Sequence, residues 1–264
     1  TALVGMLSPI QPVREASSQT LLGYANVSGY LGTLLQIIGD AGQTSGIRTS
    51  AASQFKAVVN NRWHLVPSQK TALQYEEVPE AEKAQLRPLI LGSLMTPIVP
   101  VRNLLEDALR TIVTDDYPKN WPTLGEEIMS ALSANSAEYV MAALVALRAV
   151  LRRYDRVDVL DRSGLFAVEE SVFPVLLTLM QYSMANDSAE SQEVQLMIIK
   201  CLWDGTTYGL PPHMMTQETF SAWMNVLSDV FSQPVPVDPN QDIYARHKLP
   251  WWTTKKWVLH LWTR

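Results

Sequence analysis

The strongest constraint on the fold is one stretch, Val101 to Trp121, which closes one amphipathic helix and opens the next. Apolar side chains in it recur at three and four residues and so share one stripe of a helix: Val101, Leu104, Leu105, Ala108 and Ile112. Proline does not fit a helix interior but suits a turn or a first helical turn. We therefore expect one helix to end near Asp115 or Asp116 and the next to begin near Pro118 to Pro122.

The same helical periodicity returns along the chain, and no segment shows a convincing strand alternation. It predicts about eleven or twelve helices, separated by corners that contain Pro, Gly, Asn or Asp. The clearest helix carries Val140, Leu144, Leu147, Leu151 and Tyr154 on one stripe. Another helix is predicted at 80–94, and we expect Pro88 to kink or interrupt it. The other predicted helices cover 2–7, 13–25, 29–39, 45–63, 172–184, 191–203, 217–231 and 251–264, and the segments 67–78 and 233–242 are predicted loops.

Helix pairs that return at about 40 residues without strands are typical of HEAT-like repeats. We therefore predict an all-α protein, a right-handed α-solenoid of about six helix pairs in one array over residues 1–264. The hydrophobic content of 47% is enough for the core that such stacking requires.

Composition narrows the function classes. The net charge of −5 disfavours direct nucleic-acid binding and favours basic protein partners. The single cysteine, Cys201, excludes an internal disulfide framework and is typical of a reducing compartment. The start TALVGML has no signal-peptide pattern, and the most apolar run, VMAALVALRAVL, contains Arg148 and is too short for a membrane span. We expect a soluble intracellular protein without membrane insertion and, since the chain lacks an initiator Met and ends inside a helical pattern, a piece of a longer one.

Candidate catalytic groups are few. The four histidines, His64, His213, His247 and His260, have neither metal-ligand spacing nor an acidic neighbour in a known motif. Cys201 lies in MIIKCLW on an apolar helical face, which is typical of an inert packed thiol. Neither a P-loop nor a GxGxxG motif occurs. We therefore predict no enzyme activity, no metal site and no cofactor.

Aromatic and charged residues on the predicted helices each allow two interpretations. Tryptophans at helix ends or on apolar stripes are typical of core packing, with a ligand slot as the alternative: Trp63, Trp121, Trp203, Trp223 and Trp257. Arg102, Glu106 and Arg110 stand four residues apart, either as a solvated ladder of ion pairs or as a partner contact. Asp115 and Asp116 either cap the corner or belong to a site.

Another polar strip lies on the helix predicted at 45–63. Lys56 and Asn60 are one turn apart, Ala52 comes one turn earlier, and the strip lies opposite the stripe that contains Phe55. By itself this pattern indicates only a solvated face.

Several segments together resemble a known family. IRTSAASQFKAVVNNRW, at 47–63, is similar to the N-terminal signature of the importin-β superfamily, in which an Arg opens a helix and a Lys-x-x-x-Asn pair precedes a Trp. LRPLILGSL and VRNLLEDALRTIVTDDYPKNWPTL resemble its next repeats, including an Asp-x-Pro-x-x-Trp corner. LPWWTTKKWVLHLWTR, at 249–264, follows an acidic loop and resembles the importin-7 and importin-8 branch. VREASSQTLL, in the first repeat, departs from the family pattern because it lacks an Ala-Glu pair.

This resemblance implies a nuclear transport receptor that shuttles between cytoplasm and nucleus through the nuclear pore. It implies binding of the GTPase Ran in its GTP state, with the nucleotide held by Ran, on the second helices of the first repeats. The implied contact residues are Arg48, Lys56, Asn60, Arg102, Glu106, Asp107 and Arg110, with Arg14 and Gln19 on the first repeat.

Two further partners follow from the same resemblance. FG-repeat nucleoporins are taken by the family into apolar grooves between first helices, and Phe173, Leu176, Trp223 and Leu227 lie on such helices here. Basic protein cargo is bound mainly by regions outside this chain. The alternative hypotheses are a HEAT-repeat scaffold with no preference for the nucleotide state of Ran, an exportin of the same superfamily and, least supported by the residues, an enzyme.

Overall fold

The computed structural model describes residues 2–65, 76–134, 136–156, 162–236, 242–246 and 248–264. Within these ranges it contains thirteen α-helices, short 3-10 helices and no strand, which confirms the predicted all-α class. The chain divides into two compact units, Thr1–Leu124 and Gly125–Arg264, which we call unit 1 and unit 2. The one continuous array over 1–264 stays a prediction. His247 and most of the two predicted loops lie outside the described residues.

The helices of unit 1 are α1 Ala2–Gly5, α2 Gln11–Tyr24, α3 Tyr30–Gly39, α4 Ser45–Arg62, α5 Glu80–Leu94 and α6 Val99–Asp116. Those of unit 2 are α7 Leu124–Leu132, which begins at the boundary, α8 Ala137–Arg153, α9 Ser163–Met184, α10 Ala189–Gly205, α11 Gln217–Ser232, α12 Ile243–Arg246 and α13 Pro250–Trp262.

The helices pack as pairs, and corresponding helices of successive pairs pack on one another. In unit 1, α3 pairs with α4 and α5 with α6, while α4 packs on α6 and α3 on α5. In unit 2, α9 pairs with α10 and α11 with α13, the second helices α8, α10 and α13 pack in series, and α9 packs on α11. This repeated arrangement is that of HEAT-like helix pairs, as the periodicity predicted.

Local sequence explains where many of these helices begin. Thr44, Ser188 and Thr216 precede α4, α10 and α11, and each side chain accepts a hydrogen bond from a backbone N–H of the first turn. Proline stands in the first turn of α2, α6 and α13, where its missing N–H costs nothing. The stripe predicted for α8 is buried in full.

Two predicted helix starts were wrong. The corner after α6 is longer than expected, and α7 begins at Leu124 because Asn120 and Trp121 both donate their backbone N–H to the carbonyl oxygen of Asp116. Helix α9 begins at Ser163, nine residues before the predicted start. Its early turns bury Leu165 and Glu169, and the acidic residue concealed the apolar stripe.

Proline inside two helices does not interrupt them. Helix α5 runs from Glu80 to Leu94 through Pro88, and α9 runs through Pro174. Pro88 cannot donate a backbone hydrogen bond to the preceding turn. Buried Leu86 and Ile90 hold the helix on both sides of it, so of the two predicted outcomes the interruption does not occur, and the kink stays a prediction.

Helix α9 is the one helix in the described ranges that is long and apolar enough to span a membrane by length and composition. In unit 2 it packs against α10 and α11, with Val172, Phe173, Leu176 and Met180 buried. These contacts are those of a core helix.

Candidate functional site

Two polar contacts join the second helices α4 and α6 of unit 1. Lys56 Nζ lies 2.6 Å from Asp107 Oδ2, and the two side chains are 33% and 44% exposed. One turn further along, Thr111 Oγ1 donates a hydrogen bond to Asn60 Oδ1 at 2.7 Å. We call these four residues the α4–α6 strip. A solvent-exposed ion pair of this kind stabilises a fold by at most about 1 kcal/mol, so the strip adds little to stability.

Other predicted contact residues extend the strip along α6. Arg110 is exposed, and Glu106, one turn earlier, is half-buried. Asn60 is also exposed, although its amide oxygen is engaged by Thr111. Ala52, which we placed on the same polar face, is instead fully buried in the core. The strip therefore presents a cation, a carboxylate and an amide group within two helical turns.

Arg48 and Arg102 meet at a different place, the corner before α6. Arg48 donates from Nε to the carbonyl oxygen of Ile38 at 2.7 Å and from a terminal nitrogen to Thr96 Oγ1 at 3.2 Å. Arg102 contacts the Thr96 carbonyl oxygen at 3.5 Å. Arg48 thus ties the end of α3 to the corner between α5 and α6, a structural role that sequence reasoning did not identify.

The first-repeat candidates lie on α2. Arg14 donates hydrogen bonds to the carbonyl oxygens of Ser8 and Pro9, at 2.8 and 2.9 Å, and so closes the turn before its own helix. Gln19 is exposed on α2. A contact role of these two residues with a partner stays a prediction.

Asp116 is more than a corner residue, because its side chain lies at the centre of a buried polar cluster. Trp63 Nε1 and Arg87 Nε both donate to Asp116 Oδ2, at 3.0 and 2.9 Å, and Arg87 also pairs with Glu80 at 2.7 Å. Burial opposes the charge of Arg87, but the hydrogen bonds to Asp116 and Glu80 outweigh it and raise its pKa. The cluster links the C-terminal ends of α4 and α6 to the first half of α5. The spacing of Leu105, Leu109, Ile112 and Asp116 on one stripe could have indicated that Asp116 is buried, but not which residues it binds.

The tryptophans mostly pack in the core, as predicted. Trp63, Trp121 and Trp223 are buried, with at most 3% of each residue exposed. Trp203 on α10 and Trp257 on α13 are half-buried, and their rings meet edge to face with centroids 5.8 Å apart. These two rings therefore belong partly to the surface.

The described residues contain few side chains arranged as a catalytic site would require. No group of three or more His, Cys, Asp or Glu side chains there could hold a metal ion. Cys201 is buried, and its Sγ lies 3.5 Å from the Leu144 carbonyl oxygen. Glu169 was missed by sequence reasoning: it is fully buried, and burial raises its pKa to about 8. Its carboxyl group lies in the core between α9 and α10, near Phe173 and Gly205.

Comparison with known proteins shows which proteins this chain is similar to. Residues 17–96 match the importin-beta N-terminal domain, a range that runs from α2 to the corner after α5. An importin beta-like SAD2 homolog of Arabidopsis thaliana is 28% identical over 268 residues, which cover 97% of this chain and 24% of that protein. Human importin-8 is 25% identical over 262 residues, which cover 98% of this chain and 25% of that protein. The chain thus spans about a quarter of the length of these relatives.

A solved structure supports the fold in the same way. The exportin Cse1 in its cargo-free, cytoplasmic state superposes with a TM-score of 0.83 at 18% identity, over 98% of this chain and 28% of that chain. The predicted HEAT-like α-solenoid and the predicted resemblance to the importin-β superfamily, including its importin-8 branch, are confirmed.

Proposed function

We propose that this chain, which carries an importin-beta N-terminal domain and resembles the importin-β superfamily along nearly all of its length, is the N-terminal part of a nuclear transport receptor. In this proposal it binds Ran in the GTP state through α4 and α6 and carries protein cargo into the nucleus. The observation that supports it best is the domain match over 17–96, which contains all of α4.

The chemistry of the α4–α6 strip suits such a partner. Switch loops of a GTPase are ordered by the γ-phosphate and released after hydrolysis, so a surface complementary to the ordered loops distinguishes the two states without touching the nucleotide. Arg110 and Asn60 are exposed donors, and Glu106 and Asp107 supply carboxylates beside them. A stable interface needs about 800 Å² per partner, so the strip is one part of a surface that extends to other second helices.

The structure also indicates which variant tests the proposal without disturbing the fold. Lys56→Glu would place two carboxylates where an ion pair now lies, so it changes the folded state as well as the surface. Arg110→Glu changes an exposed side chain. Lys119→Glu, at the exposed corner after α6, makes the same change of charge and is the matched control.

The experiment is a titration of the chain and both variants with Ran loaded with a non-hydrolysable GTP analogue or with GDP. We expect tighter binding of the GTP form, a loss of about 1 to 3 kcal/mol for Arg110→Glu, and no change for Lys119→Glu. Equal affinity for the two nucleotide states would remove Ran as the regulator and favour the scaffold hypothesis. Unchanged affinity of Arg110→Glu would show that the contact lies on other helices.

We also propose a site for nucleoporin FG repeats, in unit 2. Phe173, Leu176, Trp223 and Leu227 are all buried, so they form the core beneath the first helices rather than an open groove. A groove of about 330 Å³ does lie between the first helices α9 and α11, and of the four buried residues only Trp223 reaches it from the core. Its apolar lining is completed by Pro174, Leu177 and Ala222, and its polar lining consists of Glu170, His213, Glu218 and Thr219. A phenylalanine ring is of a suitable size for this groove and would pack on its apolar side.

An FG peptide and the same peptide with Ser in place of Phe test this site. Ala222→Glu would fill the groove with a charged side chain and should abolish FG binding, while Ser171→Glu, exposed on α9, should not. Binding that tolerates Ala222→Glu would place the nucleoporin contact elsewhere. We also propose that the receptor binds basic cargo and shuttles between cytoplasm and nucleus. Import of a fluorescent basic cargo into permeabilised cells by the longer protein tests both parts of this proposal.

A further inference from the structure

The groove between α9 and α11, in which we place a nucleoporin phenylalanine, has an acidic edge. Glu170 on α9 and Glu218 on α11 both line it, and both side chains are exposed. Neither carboxylate forms a hydrogen bond or an ion pair with the described part of the chain. We call these two residues the acidic rim. Their charges are available to a ligand in the groove.

Basic side chains that could neutralise the acidic rim are missing from the helices that form the groove. Residues 163–236 contain eight Asp or Glu side chains but only one Lys or Arg, which is Lys200. Lys200 is outside the groove lining, on α10, where it lies over the ring of Trp257 at 5.8 Å. The start of α11 carries about +0.5 elementary charge, which offsets only part of the charge of two carboxylates. The groove is therefore electronegative.

His213 also lines the groove, but it does not supply a positive charge there. Its Nε2 is buried and has no hydrogen-bond partner among the described residues, whereas a protonated imidazole donates from both nitrogens. Its ring packs edge to face against Phe173, with centroids 6.0 Å apart. Burial lowers the pKa of His213 although the nearby Glu170 acts to raise it, so the ring is neutral at pH 7.

The acidic rim and an apolar lining belong to the same concavity of about 330 Å³. Exposed acidic residues on an open helix face usually contact only water, but these two border apolar walls from both helices. A cleft lined by charge of one sign, with walls of low dielectric constant, concentrates ligands of the opposite charge. The groove therefore suits an apolar side chain that is accompanied by a cation.

We infer that this groove selects FG segments in which a Lys or Arg closely precedes or follows the phenylalanine. The phenylalanine ring packs on the apolar side, and the neighbouring cation meets Glu170 or Glu218. The inference rests on the proposed FG site and adds the charge of its ligand, so that FG segments with acidic neighbours are disfavoured. A second copy of this chain is a poorer occupant, because two copies of net charge −5 repel each other.

Fluorescence anisotropy with four labelled peptides tests the inference on the chain of 264 residues. One peptide has a single Phe-Gly between neutral Ser residues, and two others carry Lys or Glu on either side of the Phe-Gly. The fourth has the Lys flanks but Ser in place of Phe. Each titration is made at about 0.1 M and about 1 M salt, between which the screening length falls from about 10 Å to about 3 Å.

The test variant combines Glu170→Gln with Glu218→Gln, which removes both charges at nearly constant shape. The matched control combines Glu126→Gln with Glu138→Gln, two exposed carboxylates in the first turns of α7 and α8 that do not line the groove. It changes the net charge by the same amount. Ala222→Gln fills the groove without adding charge and shows whether a peptide binds there. Circular dichroism checks that each variant is folded.

We expect the wild type to bind the Lys-flanked FG peptide about fivefold more tightly than the Ser-flanked one at the lower salt, and the Glu-flanked one most weakly. The preference should disappear in the Glu170 and Glu218 variant, persist in the matched control, and shrink at the higher salt. Ala222→Gln should weaken the binding of every FG peptide, and the peptide with Ser for Phe should not bind.

The outcomes separate this inference from the FG site on which it rests. Equal affinity for the Lys- and Ser-flanked peptides, in binding that Ala222→Gln removes, would overturn the charge selection alone. A preference that survives in the Glu170 and Glu218 variant, or tight binding of the Lys peptide that lacks Phe, would also overturn it. No binding of any FG peptide, or binding that tolerates Ala222→Gln, would overturn the FG site and the inference together. Dimerisation of the chain that Ala222→Gln abolishes would assign the groove to a second copy instead.

Discussion

Glu169 offers a sharp test of the packing in unit 2, because a carboxyl group lies in the core without a hydrogen-bond partner among the described residues. Burial disfavours its ionised form and raises its pKa from 4.5 to about 8. The folded protein therefore holds this proton from pH 4.5 to pH 8, while the unfolded chain releases it. The contribution of this group to the free energy of unfolding is therefore fully present below pH 4.5 and is lost as the pH rises from 4.5 to 8.

Glu169→Gln removes the ionisable group at nearly constant shape. One pKa unit corresponds to about 1.36 kcal/mol, so ionisation of this residue in the unfolded chain lowers the free energy of unfolding of the wild type by about 3 kcal/mol at pH 7 and by under about 1 kcal/mol at pH 5. The free energy of unfolding of the variant should thus rise relative to wild type by about 2 to 3 kcal/mol between pH 5 and pH 7.

Urea denaturation at the two pH values measures this difference. Hydrogen exchange measures the opening of α9 under the same conditions. Glu170→Gln is the matched control, since Glu170 is the exposed neighbour on the same helix. An identical pH dependence for wild type and Glu169→Gln would refute the reasoning. It would mean that the pKa of Glu169 in the folded protein is close to its value in the unfolded chain.

Two further predictions concern stability. Asp116→Ala leaves the Arg87 guanidinium and the Trp63 indole N–H without their shared acceptor, so urea denaturation should show a loss of about 3 to 5 kcal/mol; a loss under 1 kcal/mol would contradict the buried cluster. Gly205→Ala would bring a Cβ within 2.7 Å of a buried ring and should lower the melting temperature, whereas Gly32→Ala, with open space at its Cβ inside α3, should raise it; the reverse order would contradict the packing.

The helices were predicted correctly where apolar side chains recur every three or four residues without exception. In α8 the stripe from Val140 to Tyr154 is free of charged residues, and the structure buries all of it. Trp121 was predicted to anchor the corner after α6, and it is buried there. Local periodicity is sufficient in such cases because a helix needs only one continuous apolar face.

Charged residues on apolar stripes limited the prediction. Glu169 lies one turn after Leu165 and one turn before Phe173 on the core face of α9, and a pattern search treats an acidic residue there as the end of the stripe. Asp116 is likewise an acidic residue on the buried face of its helix, at the end of α6. Both positions depend on groups from other helices, which the spacing along one helix does not contain.

The candidate site depended still more on distant residues. Lys56 and Asn60 were identified as a polar strip, but their partners Asp107 and Thr111 lie 51 residues later in the chain. The sequence nominated Lys56, Asn60 and Asp107, but it could not show that Lys56 pairs with Asp107 or that Thr111 engages the Asn60 amide oxygen. Only the packing of the two helices reveals which of the nominated side chains are engaged by the fold.

The α4–α6 strip also bears on the mechanics of unit 1. On their buried side the two helices share a close-packed apolar seam, whose spacing resists compression and does not respond to salt. On the exposed edge, attraction between Lys56 and Asp107 weakens as mobile ions shorten the screening length, which falls from about 10 Å at 0.1 M salt to about 3 Å at 1 M. The contact between α4 and α6 thus combines an apolar interface that salt leaves unchanged with an exposed ion pair that salt weakens.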